Sequence, residues 1–215
     1  MAKRRMGPEN SATRVALMDA VEAVMREQGY AGLSARSVAA RAGLKYQIVF
    51  YYFETMDDLL LTTYRRRTQS VLERTENALS SDQPLHALWE TWSDPYGASL
   101  TLEYMAMSNH NQVIRSETIT FGEHIRRIMA EKLSQQLKDV SPNPDVFTPF
   151  GITLALTSIG SLLGFESALG LSGGHRETRK IVEWCLGRLE PETASVAQIS
   201  SQKPRAKAAA KENSS

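Results

Sequence analysis

Residues 34–59 read SARSVAARAGLKYQIVFYYFETMDDL, and this stretch decides the fold. Ser34 is a residue type that caps a helix N-terminus, because its hydroxyl can accept from a backbone N–H of the first turn. Ala35, Val38, Ala39 and Ala42 follow at helical spacing, so a short helix is expected over Ser34–Ala42. Gly43 stands where the chain must turn sharply, and glycine takes a positive φ without a Cβ penalty. A second short helix is predicted over Tyr46–Tyr52. Two short helices joined by a glycine turn form a unit that can place one exposed helix in a major groove. The expected partner is double-stranded DNA.

Upstream, Leu17, Ala20, Val21 and Val24 fall at i, i+3, i+4 and i+7, so a helix with one buried stripe is predicted over Ser11–Gln28. Gly29 is placed to end it. Downstream, a long helix is predicted from Met56 to Leu79, with Asp57 and Asp58 in its first turn, where the helix dipole favours acid. Further helices are expected over Leu85–Trp92, Ala98–Ser108, Gln112–Lys138, Phe147–Leu171 and His175–Leu189. The turn clusters Ser93-Asp94-Pro95-Tyr96-Gly97 and Ser141-Pro142-Asn143-Pro144 separate them. The predicted fold class is all-α. A three-helix helix-turn-helix domain at 11–55 precedes a larger helical ligand-binding and dimerisation domain at 56–191. Residues 1–10 and 192–215 are expected to be disordered and basic.

Charge is divided unevenly. Residues 1–56 carry eight Lys/Arg and five Asp/Glu, whereas residues 57–202 carry thirteen and eighteen. A basic head on an acidic body suits a polyanion at the head. Lys3, Arg4 and Arg5, and in the tail Lys203, Arg205, Lys207 and Lys211, can add affinity that depends on salt and not on base sequence. The single cysteine, Cys185, excludes an internal disulfide framework and fits a reducing cytosol. Set between Trp184 and Leu186, it is read as a buried packing thiol. Val146 to Phe165 runs twenty residues without a charge, the length of a membrane span. With Pro149 and three glycines it is read as a core or interface helix, and no membrane partner is expected.

Over its first sixty residues the chain resembles the TetR-type transcriptional regulators. The resemblance rests on LMDAVEAVMREQGY, on SARSVAARAGL and on the VFYYF block followed by DDLL. It implies a bacterial, cytoplasmic, nucleoid-associated homodimer whose larger C-terminal part binds a small-molecule effector. Two positions depart from the family pattern: Phe50 where tyrosine is usual, and Met56 where lysine is usual. Both usual residues help hold phosphate, so Lys45 and Tyr52 gain weight as backbone contacts.

The DNA-contacting candidates are Arg36, Lys45, Tyr46, Gln47, Tyr51 and Tyr52. Gln47 can read adenine N6/N7 through its amide, and Tyr46 can touch a thymine methyl or a phosphate. Lys45, Tyr52 and Arg36 suit phosphate, which positions without specifying, and Arg14 is a weaker phosphate candidate. Ile48, Val49, Phe50 and Phe53 are read as core. For the ligand pocket the candidates are Trp89, Trp92, Tyr104, Met105, His110, Phe121 and Phe150, since such pockets are mostly apolar with a few polar anchors. Glu103, Asn111 and His124 are further possible anchors, and His110 and His124 would share a face if one helix held both. Gly160, Gly164 and Ala168, spaced by four, would let a second backbone approach closely. With Trp184 on the final helix they are the candidate dimer interface, a four-helix arrangement of two copies. No metal site and no cofactor are expected. His86, His110, His124 and His175 have no metalloprotease spacing, and neither a phosphate-binding glycine loop nor a nucleophile elbow is present. An enzyme is therefore not expected.

Overall fold

A computed structural model describes residues 11–140 and 143–190, and the described residues form nine α-helices and no strand. Lys3, Arg4, Arg5, Lys203, Arg205, Lys207 and Lys211 fall outside the described residues. Helix α1 (Ala12–Gln28) starts where the Ser11 hydroxyl accepts from the Arg14 N–H at 3.1 Å, and ends at Gly29 with φ +71°. The stripe Leu17, Ala20, Val21 and Val24 is buried.

Helix α2 (Ala35–Arg41) is capped reciprocally. Ser34 Oγ accepts from the Ser37 N–H, and Ser37 Oγ accepts from the Ser34 N–H. At its other end Gly43 adopts φ +67°, the Gly43 N–H donates to Ala40 O and the Leu44 N–H donates to Ala39 O. This pair of bonds is a Schellman stop, and it turns the chain tightly into the next element. That element is not one helix. Tyr46–Ile48 is a 3-10 turn and only Val49–Tyr52 (α3) is α-helical. Lys45 enters it in extended conformation without a side-chain cap, so the first turn closes by the tighter i→i+3 bond from Ile48 N–H to Lys45 O.

Helix α4 (Met56–Leu79) begins with Thr55 Oγ1 accepting from the Asp58 N–H and the Asp58 carboxylate accepting from the Glu54 N–H, each at 3.0 Å. Then come α5 (Pro84–Trp92), α6 (Pro95–Ser108), α7 (Gln112–Val140), α8 (Pro149–Leu169) and α9 (His175–Leu189). The start of α6 differs from the sequence expectation. Asp94 caps the Tyr96 N–H and Pro95 occupies the first helical position, so most of the expected turn cluster is the opening turn of a helix. Residues 109–111 separate α6 from α7, so His110 and His124 do not share a helix.

Two apolar cores result. The first joins α1, α2, α3 and the first half of α4 to Leu100, Tyr104 and Met107 of α6 and Ile114 of α7. The second is built from the end of α4 with α5, α7, α8 and α9. Helix α8 lies against α5, α6 and α7. It is long and apolar enough to cross a membrane by length and composition, and a third of its apolar window is buried inside the chain.

Gly160 and Gly164 are used for that packing, within the chain. A Cβ on Gly160 would lie 3.1 Å from the Trp92 carbonyl carbon, and one on Gly164 would lie 3.2 Å from Ala98 Cβ. These glycines let α8 press on the α5–α6 corner, which corrects the sequence expectation for both. Ala168 and Trp184 are exposed. Cys185 is exposed too, against the expectation of a buried thiol, because Val182 and Leu186 supply the inward face of α9.

Candidate nucleic-acid interface and ligand cavity

The Gly43 stop sends the chain out along one surface of the head. Lys45, Tyr46, Gln47 and Tyr51 are exposed there, and Val49 and Phe53 point inward and are sealed in the first core. Arg36, exposed on α2, holds its guanidinium 5.9 Å from the Tyr46 ring centroid, so a cation and an aromatic sit side by side on the same surface. Tyr51 and Tyr52 meet edge to face at 5.0 Å, and Tyr52 is half-buried against the core. Five of the six candidate side chains are thus exposed on the head, and Tyr52 is anchored behind them. Phe50 is half-buried, and Met56 packs against the first core.

Arg14 is not a surface cation. It is buried, stacks 4.5 Å from the Phe53 ring and donates to Tyr52 O at 3.3 Å. It therefore holds α3 against α1 from behind, where no phosphate can reach.

The body contains a cavity of about 350 Å³, walled by α4, α6, α7 and α8 and by Trp92 at the end of α5. Its walls are mainly apolar, with Val71, Phe121, Ile125, Met129, Leu162 and Phe165 among them. Trp92, Tyr104, Met105 and Phe121, expected from the sequence, line it. Trp89, His110 and Phe150 do not. Trp89 is buried in the second core, with the Arg179 guanidinium 5.6 Å from its ring. His110 stacks on Tyr30 at 6.2 Å, at the junction of head and body. Phe150 is half exposed at the start of α8. The expected polar anchors serve other ends. Glu103 accepts from the Tyr30 N–H at 2.7 Å, Asn111 donates to Asp57 at 2.7 Å, and His124 lies on α7 outside the cavity.

Tyr64, Arg67 and Arg126 are among the lining residues that the sequence did not point to. The run Arg65-Arg66-Arg67 held a faint signal, since three consecutive helical positions point in three directions. Arg65 pairs with Glu117 at 2.8 Å and Arg66 with Asp19 at 2.7 Å. Arg67 turns inward, and its Nη2 donates to Gly97 O at 2.6 Å and to Thr101 Oγ1 at 3.3 Å. Burial pushes the Arg67 guanidinium below its usual pKa, and nearby Glu22 works in the other direction. Burial likewise raises the Tyr64 phenol and pushes that of Tyr104 well above its usual range. Both phenols are therefore neutral around the cavity. Their rings lie 4.7 Å apart, and both belong to the first core as well as to the cavity wall. Among the described residues no group of three or more His, Cys, Asp and Glu side chains is placed to hold a metal ion.

The sequence over residues 17–63 matches the model of bacterial regulatory proteins of the tetR family. No curated protein matches the chain in sequence. Solved structures share its fold at low identity. A TetR transcription regulator from Haloarcula marismortui ATCC 43049 superposes with a TM-score of 0.65 at 18% identity, over 80% of this chain and 95% of that one. A transcriptional regulator from Rhodococcus sp. Rha1 gives 0.63 at 18%, over 82% and 93%. GusR of Salmonella enterica gives 0.65 at 16%, over 85% and 97%.

Proposed function

We propose, from the match of residues 17–63 to the tetR-family model, that this chain is a ligand-responsive repressor of that family that binds a near-palindromic operator as a homodimer. The observation that carries the reading is the cavity wall, because Tyr64 and Tyr104 belong at once to the cavity and to the core that supports the head. A molecule entering the cavity touches side chains that set the packing of α1 and α4. Two heads on one dimer would enter successive major grooves about 34 Å apart. An effector releases the operator only by binding tighter to a dimer whose head spacing does not fit it.

At the operator, Gln47 and Tyr46 take the base edges, and Lys45, Arg36, Tyr51 and Tyr52 take the backbone. Support for the dimer comes from the outer faces of α8 and α9. Leu169, Ile181 and Trp184 are 72%, 64% and 60% exposed, a concentration of apolar surface on two consecutive elements. Two copies pairing through α8 and α9 would cover it as a four-helix interface.

The test is binding of the purified chain to DNA upstream of its own gene and to scrambled DNA, over a salt series with footprinting. Specific, salt-dependent protection of a two-fold site is the expected result. Binding no better than to scrambled DNA, followed by failure of an unbiased operator selection, would overturn the DNA-binding reading.

A further inference from the structure

The cavity wall contains two arginines, Arg67 and Arg126, and no aspartate or glutamate. Neither arginine has a carboxylate within ion-pair distance among the described residues. Arg65 and Arg66, its neighbours on α4, both do. Arg67 is the unusual one. It is half-buried and spends only Nη2, on Gly97 O and on the hydroxyl of Thr101, which is itself a lining residue. Its Nε and Nη1 have no partner among the described residues. A largely desolvated cation without a counter-ion is costly, and the cost is relieved when an anion supplies charge-assisted hydrogen bonds.

Two further groups of the wall keep unspent donors. Trp92 Nε1 and the Tyr104 hydroxyl are buried without a partner among the described residues. The hydroxyls of Thr118 and Thr157 donate to Ile114 O and Thr153 O of their own helices. Tyr64, Thr68, Ser158 and Ser161 add further hydroxyls, and the other lining side chains are apolar. At about 350 Å³ the space lies near the lower end of small-molecule sites, which run from about 300 to 1,000 Å³.

We infer that the effector is a compact apolar molecule carrying one anionic group, such as a carboxylate, which Arg67 and Arg126 receive while the apolar body fills the space between Phe121, Met129, Leu162 and Phe165. This rests on the reading of the cavity as an effector site and names the ligand class it takes. It also specifies a contact through which the ligand acts. Arg67 ties α4 to the first turns of α6, and an anion competes with Gly97 O and Thr101 for the same guanidinium.

The experiment uses the full chain and two matched probe pairs, decanoate with decanamide and 4-phenylbutyrate with 4-phenylbutanamide, with binding followed by calorimetry and tryptophan fluorescence. At least one acid should bind about tenfold or more tighter than its amide. Arg67→Met, checked for retained helicity, should remove most of that preference, and Arg126→Met should reduce it further. Gly122→Phe provides an independent arm. An added Cβ at Gly122 meets nothing within 4 Å, so the ring can enter the cavity without displacing a neighbour, and it should abolish binding of acid and amide alike. If acids and amides bind equally and Gly122→Phe blocks both, the anionic class is wrong and the effector site stands. If an acid preference survives both arginine variants, the arginines do not select the ligand and the inference falls. If no probe binds, the effector-site reading falls with it.

Discussion

The carboxylate of Glu103 on α6 accepts the backbone N–H of Tyr30 at 2.7 Å, tying the body to the corner where α1 ends. The bond is made by a charged acceptor to a donor that α1 leaves free at its turn, so removing the carboxylate leaves the Tyr30 N–H without its acceptor. Glu103→Ala should destabilise the protein by about 1–3 kcal/mol. Its larger effect should be local, with amide exchange accelerating in residues 28–33 before it accelerates in α8. Urea denaturation combined with native-state hydrogen exchange measures both. Uniform acceleration throughout the chain would show that this bond does not hold the junction in particular.

The Gly43 stop is a second test, because the position has space and lacks only conformational freedom. No atom lies within 4 Å of an added Cβ, yet φ is +67°. Gly43→Ala should therefore cost about 1–2 kcal/mol through backbone strain alone, without a packing clash. Gly43→Asn should cost less, since asparagine tolerates the left-handed region better. Thermal denaturation of the two variants gives the order, and the reverse order would show that the turn is not the constraint.

Gly160 makes the opposite case. Its φ is not positive, but an added methyl would press on the Trp92–Ser93 backbone at 3.1–3.2 Å. Gly160→Ala should destabilise the second core by about 1–3 kcal/mol through overpacking, and should leave self-association unchanged at temperatures where the fold persists. Sedimentation velocity and chemical denaturation separate the two. Ile181→Glu with Trp184→Glu should do the reverse, dissociating the proposed dimer while the circular dichroism of the helices is kept.

Arg65 and Glu117 bear on acid stability. Hydrogen bonding to Arg65 holds the Glu117 carboxyl below its usual pKa. A depressed folded-state value means that stabilisation is present above the unfolded carboxylate value, near 4.5, and is lost as pH falls through the folded one. Arg65 is 59% exposed, so screening keeps the contribution under about 1 kcal/mol. Glu117→Gln should lower stability slightly at pH 7 and by less at pH 2.5, and added salt should narrow the difference. A deficit of equal size at both pH values would point to packing instead of charge.

For the operator contacts, Gln47→Ala should relax base preference at one position of each half-site, whereas Lys45→Ala should weaken all sequences alike and flatten the salt slope by about one unit. Operator selection read against salt titration distinguishes them. Identical behaviour of the two variants would refute the division between reading and positioning.

Read by itself, the sequence determined the features that depend on neighbours along the chain. The Ser34 cap, the Gly43 stop, the buried stripe of α1 and the bounds of α4 and α9 follow from capping chemistry, from glycine's access to positive φ and from helical period. So does the exposure of Lys45, Tyr46 and Gln47, because Val49 and Phe53 claim the inward positions of the same short segment. Tertiary structure decided what depends on distant partners. The spacing of Gly160 and Gly164 announces a close approach but not which backbone approaches, and it is the chain's own α5–α6 corner. An aromatic residue looks alike in a core and in a cavity wall, so Trp89 and Trp92, three positions apart on α5, parted only when α8 packed beside them. The direction of Arg67 was beyond the sequence for the same reason: adjacent arginines on one helix are chemically identical until α1, α6 and α7 arrive to pair two of them and bury the third.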